Sequence, residues 1–582
     1  MLGSRLLRVA LALFALLGLF AVGAFTLRHE LGRRALGLPS FTSSLGGREL
    51  LFVTTRDGVR LATHVIKPAG DGPFPALLMR SPYPDIRPLL TYQCELYARY
   101  GYACVLQESR GRGGSEGEWI PFVHERDDGI DALRWLVAEH WTDGNVALIG
   151  ASYLGFTQWV LADALPPDVR TIVPAVVSTK RRATMYERGM FRSDLYTSWT
   201  VGNSGRETEL SPSEQFWGAV RHRPALEADV RFLGGELPWY REWLSHPEPD
   251  AKLWSEGVWA KLESVPERTA VPVLMIAGWY DHNLAGTFEA FDRLRSRWRS
   301  LLVVGPWLHT FQSAGRDLPS GIAYTAQLQL RWLEHQLKGE PSGEPAEGVF
   351  AFVMGEGFRS FPSWPPPSQS LQWHLAAPSV GACFGALVEG APPAPATLAY
   401  RYDPDDPVPT QGGEALLGWA AGVDAPSPGR VEQDPPCARP DVLSFLSEPL
   451  AEDLVVIGRP RVHLEVASSA EDSAFSVKLI EVDGRGRATN VRDSIASLAY
   501  ADGAGPRAYT PGSVVPLDFT LWPIAIRLPA GSRLRLDVSS SNFPAYHAHP
   551  NRAGPWAEQR EARVATQTLA LGGAWLKLPV VR

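Results

Sequence analysis

The stretch NVALIGASYLGFTQW, residues 145–159, sets a serine between an aliphatic run and an apolar, helix-like one. A hydroxyl is a poor nucleophile until a base takes its proton. Ser152 would therefore need a histidine, and that histidine an acid to orient it. Two later runs supply both types, in the chain order serine, acid, histidine that a strand-to-helix serine turn requires. VPVLMIAGWYD carries Asp281 just past an apolar run, and SLLVVGPWLH carries His309 just past the next. All three follow candidate strands at the ends where the loops of an open parallel sheet converge. The chemistry this set can do is acyl transfer. His282 competes with His309, but it directly follows the acid and is expected to point away from it. Asp281 would also serve as the N-cap of NLAGTFEAFDRLRS. The glycines read Gly150-x-Ser152-x-x-Gly155, a departure from the G-x-S-x-G turn.

Acyl transfer also needs hydrogen-bond donors for the oxyanion. The backbone N–H of Tyr153, the residue after the serine, is the expected first donor. A second should come from the loop after an earlier strand, where ALLMRSPYPD offers Tyr83 through its phenolic O–H or its backbone amide. The competing reading of Tyr83 is a buried tyrosine in a proline-braced turn.

Elements able to position these residues are legible around them. ELLFVTTRDGVRLATHVIKP reads as a hairpin turning at Asp57-Gly58, since Asp-Gly suits a tight turn. PALLMRS, YACVLQE, NVALIG, TIVPAVVS, VPVLMIAG and SLLVVG are the short continuous apolar runs of strands buried on both faces. Helical patterns lie between some of them. ERDDGIDALRWLVAEHW puts Ile130, Leu133 and Val137 on one face, with Asp127 and Asp128 in its first turn. The helix after Ser152 is apolar nearly all round and should run buried to Pro166-Pro167. Strands alternating with helices predict a mostly parallel α/β sheet. From about Lys180 to Pro266 the alternation stops, and a Trp-rich, charged, helix-patterned insertion replaces it. Past residue 345 comes Pro-rich punctuation, then period-two runs such as RVHLEVASS and SRLRLDVSSS, which predict an all-β sandwich or jelly roll. The expected division is 1–30 export signal or anchor, 45–180 and 267–345 sheet domain, 181–266 helical insertion, and 346–582 β domain.

The remaining features bound the setting. Net charge is −7 over 582 residues, which argues against a nucleic-acid partner. The apolar run from Val9 to Leu27 has arginines on both sides and is long enough to span a bilayer. It predicts an exported or membrane-anchored, extracytoplasmic protein, with cleavage near Val22-Gly23-Ala24 an open alternative. Four cysteines form no C-x-x-C pair, so a zinc ribbon is excluded. Cys94 with Cys104 and Cys383 with Cys437 either pair in an oxidising compartment or stay as reduced thiols. RGRGGSEG lacks the Lys-Ser/Thr of a phosphate loop, so no nucleotide cofactor is expected.

TRDGVRLATHVIKP, RSPY, QESRGRGGSEGEW, WTDGNVALIGASYLGFTQW, GWYD, GPWLH and SSSNFPAY together resemble the cocaine esterase and X-Pro dipeptidyl-peptidase family of serine hydrolases. The G-x-S-Y-x-G spacing is this family's usual turn. The resemblance implies an α/β-hydrolase domain with an inserted helical cap and a C-terminal jelly-roll, galactose-binding-like domain. It implies Ser152 as nucleophile, His309 as base, Asp281 as its orienting acid, and Tyr83 with Tyr153 as oxyanion hole, with no cofactor and no metal. Trp159, Trp199 and Trp279 are candidates for the acyl pocket or for the core. His282, Asn283 and Leu284 stand where the amino-acid ester hydrolases of this family carry carboxylates, which argues against that specificity. His547-Ala548-His549 replaces residues usual in relatives; two histidines without further ligands fit a surface turn better than a metal site. The leading expectation is an esterase for small carboxylic esters. An X-Pro dipeptidyl-peptidase would need a carboxylate for the substrate amine, and several acids of the insertion, such as Glu187 and Asp194, could supply one. From another class, the β domain would bind a surface partner beside an inert hydrolase domain.

Overall fold

In the computed structural model, residues 27–294, 300–341, 347–414, 418 and 422–581 are described. The apolar run Val9–Leu27 lies outside them apart from Leu27, which opens a helix over residues 27–35. Among the described residues no helix is long and apolar enough to cross a membrane.

The six apolar runs all become strands of one ten-stranded sheet. Its order is Leu45–Thr54, Arg60–Pro68, Ala103–Glu108, Phe74–Ser81, Thr142–Ala151, Val169–Ala175, Leu274–Tyr280, Leu301–Leu308, Gly348–Val353, Gly357–Phe361. The strands from Ala103–Glu108 to Gly348–Val353 are parallel, and the outer pairings are antiparallel. Asp57-Gly58 forms the first hairpin turn, with Gly58 at φ 88°. Alternate residues of a single strand feed different cores. Leu77 and Met79 join the cluster beneath helices Arg87–Ala98 and Ile322–Lys338, while Ala76 and Leu78 join the cluster on the other face. That two-sided burial is why these strands lack period-two patterning. The strands Gly348–Val353 and Gly357–Phe361 lie past the expected break at residue 345 and still complete this sheet.

Helix Glu125–Ala138 forms where its pattern lies, but its buried face is Glu125, Asp128, Gly129, Ala132, Leu133 and Leu136. Ile130 and Val137 are only half-buried. The expected residues pack on the core, Leu133 within it and Ile130 and Val137 against it, but the buried face extends to ion-paired acids: Arg110 holds Asp128, and Arg80 holds Glu125. The helix after Ser152 ends early, at Tyr153–Trp159, and turns carry the chain to Pro166. The insertion is helical, with segments such as Ser193–Asn203, Pro212–Arg221, Pro238–Ser245 and Gly257–Arg268. It also holds one short hairpin, Tyr186–Glu187 with Met190–Phe191, too brief to leave a strand signature.

The C-terminal part is a twelve-stranded sheet curled around the long strand Ala565–Val581. That strand pairs with Gln369–Ala376, Thr397–Tyr402, Leu454–Gly458 and Arg461–Ser468. One apolar cluster runs without a break from the cap-side face of the first sheet through the helical insertion into this β domain. Both candidate disulfides are formed, Cys94–Cys104 and Cys383–Cys437.

Candidate active site

Ser152 sits between strand Thr142–Ala151 and helix Tyr153–Trp159 at φ 57°, ψ −121°. A non-glycine residue there is strained, and such strain is typical of serine turns that expose a side chain. The two glycines have separate steric reasons. Gly150 is at φ 143°, and a Cβ on it would lie 2.4 Å from Leu154 Cβ. A Cβ on Gly155 would lie 2.6 Å from Val177 Cγ1 on the neighbouring chain segment. The second contact falls three residues past the serine, so here Gly155 meets the crowding that a glycine at position 154 would otherwise relieve.

Loops at the ends of two other strands bring the partners. His309 Nε2 lies 2.9 Å from Ser152 Oγ, and His309 Nδ1 lies 2.8 Å from Asp281 Oδ1. Asp281 is fully buried, and its Oδ1 also accepts the Asn283 N–H at 3.2 Å. Asn283 Nδ2 donates to the Val176 carbonyl at 2.9 Å, which ties this loop to the strand beside the serine. Helix Leu284–Leu294 starts three residues past Asp281, so the Asp281 carboxylate caps the turn leading into it, through the Asn283 N–H, while it also holds His309.

His282 does not point away from the site. Its ring stacks on His309 at 4.2 Å between centroids, while its Nδ1 stays 3.8 Å from Asp281 Oδ1. Burial, helped by the neighbouring His309, pushes its pKa well below the ordinary imidazole value. It is therefore a neutral, flat support for the His309 ring. Asp281, His282 and His309 are the one grouping of potential metal ligands among the described residues. Two of its three members are already hydrogen-bonded to each other.

The oxyanion donors separate cleanly. The Tyr153 N–H, first in its helix, has no intrahelical acceptor. The Tyr153 side chain is held apart, donating to Glu125 Oε1 at 3.0 Å and accepting the Phe122 N–H at 2.8 Å. The Tyr83 amide is taken by Ser81 Oγ at 3.2 Å. The Tyr83 phenol instead accepts the Trp199 indole N–H at 3.1 Å, which leaves its own proton free to donate. Burial pushes that phenol up to about 12, so it stays protonated. Of the two donors Tyr83 could offer, the phenolic O–H is the available one.

Two cavities meet at Ser152. The cap-side cavity, about 50 Å³, is walled by Phe122, Phe156, Leu195, Tyr196 and Trp199. Arg181 also lines it, its guanidinium lying 4.1 Å from the Phe122 ring centroid and 4.8 Å from that of Tyr196. Burial lowers the pKa of this guanidinium. Among the described residues, no acidic side chain lines the cavity. On the other side, an apolar cavity of about 750 Å³ runs between helices Arg87–Ala98 and Ile322–Lys338 and also reaches Tyr83, Ser152 and His309.

The expected tryptophans divide. Trp199 lines the cap-side cavity, but Trp159 and Trp279 are fully buried in the core. The Trp279 indole N–H is occupied by the Phe352 carbonyl at 2.6 Å. Glu187 pairs with Arg192 at 2.8 Å, and Asp194 accepts the Gly418 N–H at 3.3 Å. Neither faces the serine. His547 and His549 are not a surface turn: both are 4% exposed. His547 accepts the Phe191 N–H and stacks on Trp556, while His549 pairs with Asp472. RGRGGSEG is a brace, with the Gly114 N–H on Glu108 and Arg110 bridging Asp57 and Asp128. Arg181, Phe122 and Tyr196 were not singled out from sequence as parts of this site, and His282 was considered only as a rival to His309 and as a specificity position. The first three come from separate segments, and nothing local marks them.

A parallel sheet with a serine turn, an acid and a histidine at the ends of its strands, capped by helices, defines a serine hydrolase of the α/β type. The comparisons place it more narrowly. Residues 57–311 match the family model described as X-Pro dipeptidyl-peptidase (S15 family), and residues 343–574 that of the X-Pro dipeptidyl-peptidase C-terminal non-catalytic domain. The chain is 31% identical over 555 residues to the cocaine esterase of Rhodococcus sp. (strain MB1 Bresler), covering 89% of this chain and 94% of that one. The chain belongs to the cocaine esterase and X-Pro dipeptidyl-peptidase family of serine hydrolases. Solved structures share the fold. An aminopeptidase from a marine sediment archaeon, Thaumarchaeota archaeon, gives a TM-score of 0.78 at 22% identity, covering 94% of this chain and 98% of that one. An α-amino-acid ester hydrolase gives 0.76 at 22% identity, with the same coverage.

Proposed function

We propose that this serine hydrolase is an esterase acting on small carboxylic esters through an acyl-enzyme. The observation that carries this is the unbroken line from Ser152 Oγ through His309 to Asp281, at 2.9 and 2.8 Å. His309 Nε2 takes the Ser152 proton as Oγ bonds to the acyl carbon. The carbonyl electrons move to an oxyanion held by the Tyr153 N–H and the Tyr83 O–H. The intermediate collapses, and the alcohol leaves with the proton from His309. Water then attacks the acyl-enzyme, His309 takes its proton, and Ser152 recovers that proton as the acid departs. Asp281 accepts the His309 Nδ1–H and so keeps Nε2 turned to the serine.

The esterase reading is favoured over dipeptidyl-peptidase by the charge of the cap-side cavity. An X-Pro substrate brings an ammonium that needs a carboxylate, and the wall offers Arg181 and no acid. The apolar cavity on the other side gives room for an apolar alcohol. Export or membrane attachment through residues 9–27 also belongs to this proposal; the motivating feature is the uncharged run itself. Fractionation of expressing cells tests it, and recovery of the full-length chain in the cytosol alone would reject it.

The test of the chemistry is intact mass after a fluorophosphonate, on the parent and on Ser152→Ala. One adduct on the parent and none on the variant is expected. An equal adduct on both would place the reactive group elsewhere. Esters and X-Pro amides compared at equal concentration then separate the two activities, with faster ester turnover expected.

A further inference from the structure

Buried arginines in this protein come with acceptors. Arg80 meets Glu125 at 2.9 Å, Arg192 meets Glu187 at 2.8 Å, and Arg535 meets Asp537 at 2.7 Å. Arg492, without a carboxylate, donates to the carbonyls of Trp279 and Pro523. Arg181 is different. It is half-buried rather than fully buried, it makes no hydrogen bond and no ion pair among the described residues, and its Nε is shielded from solvent with no partner. Phe122, Tyr196, Trp243 and Trp259 surround the guanidinium with ring faces. Rings offset part of the cost of burying the charge, but they accept few of the five N–H donors. The titratable groups near it are the phenols of Tyr196, Tyr83 and Tyr153 and the imidazole of His282, with no carboxylate among them. This cation lines the cavity of about 50 Å³ together with Ser152, Tyr83 and His309.

A half-buried cation enclosed by rings and without an anion is costly, and binding an anion there supplies the missing partner. The planar fork of arginine matches a carboxylate through two parallel hydrogen bonds. We propose that the substrate is an ester carrying a free carboxylate, which Arg181 holds while Ser152 attacks the ester carbonyl. The compact cavity limits the charged part to a short chain. The inference rests on the reading of Ser152 as nucleophile and adds the charge of what it attacks.

The test compares kcat/KM for monomethyl succinate with its neutral analogues dimethyl succinate and methyl valerate on the full-length parent. Acetoxyacetate against ethyl acetate places the carboxylate on the alcohol half instead. In at least one of the two sets the charged ester should be preferred about tenfold to hundredfold, the scale of a charge-assisted hydrogen-bonded pair. Arg181→Met should abolish that preference by raising KM for the charged ester, and Arg181→Lys should keep part of it. The parent comparison needs no variant, so it stands even if Arg181→Met fails to fold. No charge preference in either set overturns the proposal, while the fluorophosphonate adduct on Ser152 would leave the triad reading standing. An equal loss on charged and neutral esters in Arg181→Met also overturns it, because the cation would then act on the oxyanion. Calorimetric binding of monomethyl succinate, but not dimethyl succinate, to Ser152→Ala is expected independently of turnover.

Discussion

Tyr83→Phe removes a single oxygen from the cavity wall, and the structure says what that oxygen does. In the resting protein it accepts the Trp199 indole N–H at 3.1 Å and donates to no described residue. The neighbouring Tyr83 amide already bonds Ser81 Oγ, so no second donor from this residue takes over. Losing one oxyanion donor costs about 2.7–4 kcal/mol at the transition state, or about 10² to 10³ in kcat. The substrate carbonyl accepts only weakly by comparison, so KM should move by less than about threefold. The Trp199 N–H is left without its acceptor, at about 1–3 kcal/mol of stability, which lowers the melting temperature without unfolding the chain. Steady-state kinetics on phenyl acetate, with thermal denaturation of both proteins, separates the two effects. The raised phenol pKa of about 12 adds a pH signature. A tyrosine raised above its ordinary value keeps its proton as pH rises and loses it only through about 12. The parent should therefore show no loss of this donor up to about pH 11. A folded Tyr83→Phe protein with kcat within about threefold of the parent would refute the phenol as oxyanion donor.

Asp281→Asn should lower kcat/KM by about 10⁴ with the fold retained, because an amide beside Nδ1 favours the wrong imidazole tautomer; near-parent kinetics would remove Asp281 from the mechanism. Gly150→Ala should destabilise by about 1–3 kcal/mol, since its φ of 143° is strained for alanine and its Cβ would meet Leu154; calorimetry showing an unchanged melting temperature would contradict that. Glu414 is raised from 4.5 to about 7, first by burial and then by Asp493. The unfolded chain loses that proton first, so the contribution to stability is full below about pH 4.5 and lost as pH rises through about 7. Glu414→Gln should flatten the fall in melting temperature between pH 5 and 8, and an unchanged slope would rule out this carboxyl as its source.

Much of the frame was legible because each signal is local. Two-sided burial writes continuous apolar runs, and all six predicted strands entered the sheet. Period-two runs such as RVHLEVASS mark one-sided strands, and these built the β domain. Ser152, Asp281 and His309 could be named because a parallel sheet converges its strand ends whatever the loops between them do. The buried face of helix Glu125–Ala138 is wider than its apolar pattern, because periodicity counts apolar residues, while Glu125 and Asp128 are buried through their arginines.

What lay beyond the sequence depends on segments far apart in the chain. His282 follows the acid directly, and only the turn of its loop lays the ring flat on His309. Tyr83 offers two donors on paper; Ser81 and Trp199, one near and one 116 residues away, decide which is free. Trp159, Trp199 and Trp279 are equivalent in composition, yet packing sends two to the core and one to the cavity. Arg181 is the clearest case. A sequence shows that a residue is charged, but whether that charge has a partner is a matter of distance. The chain alone therefore determined the strands, their order along it and which residues are candidates for the reactive set. Tertiary packing decided the shape and charge of the space in front of Ser152, since those are sums over neighbours that covalent order does not bring together.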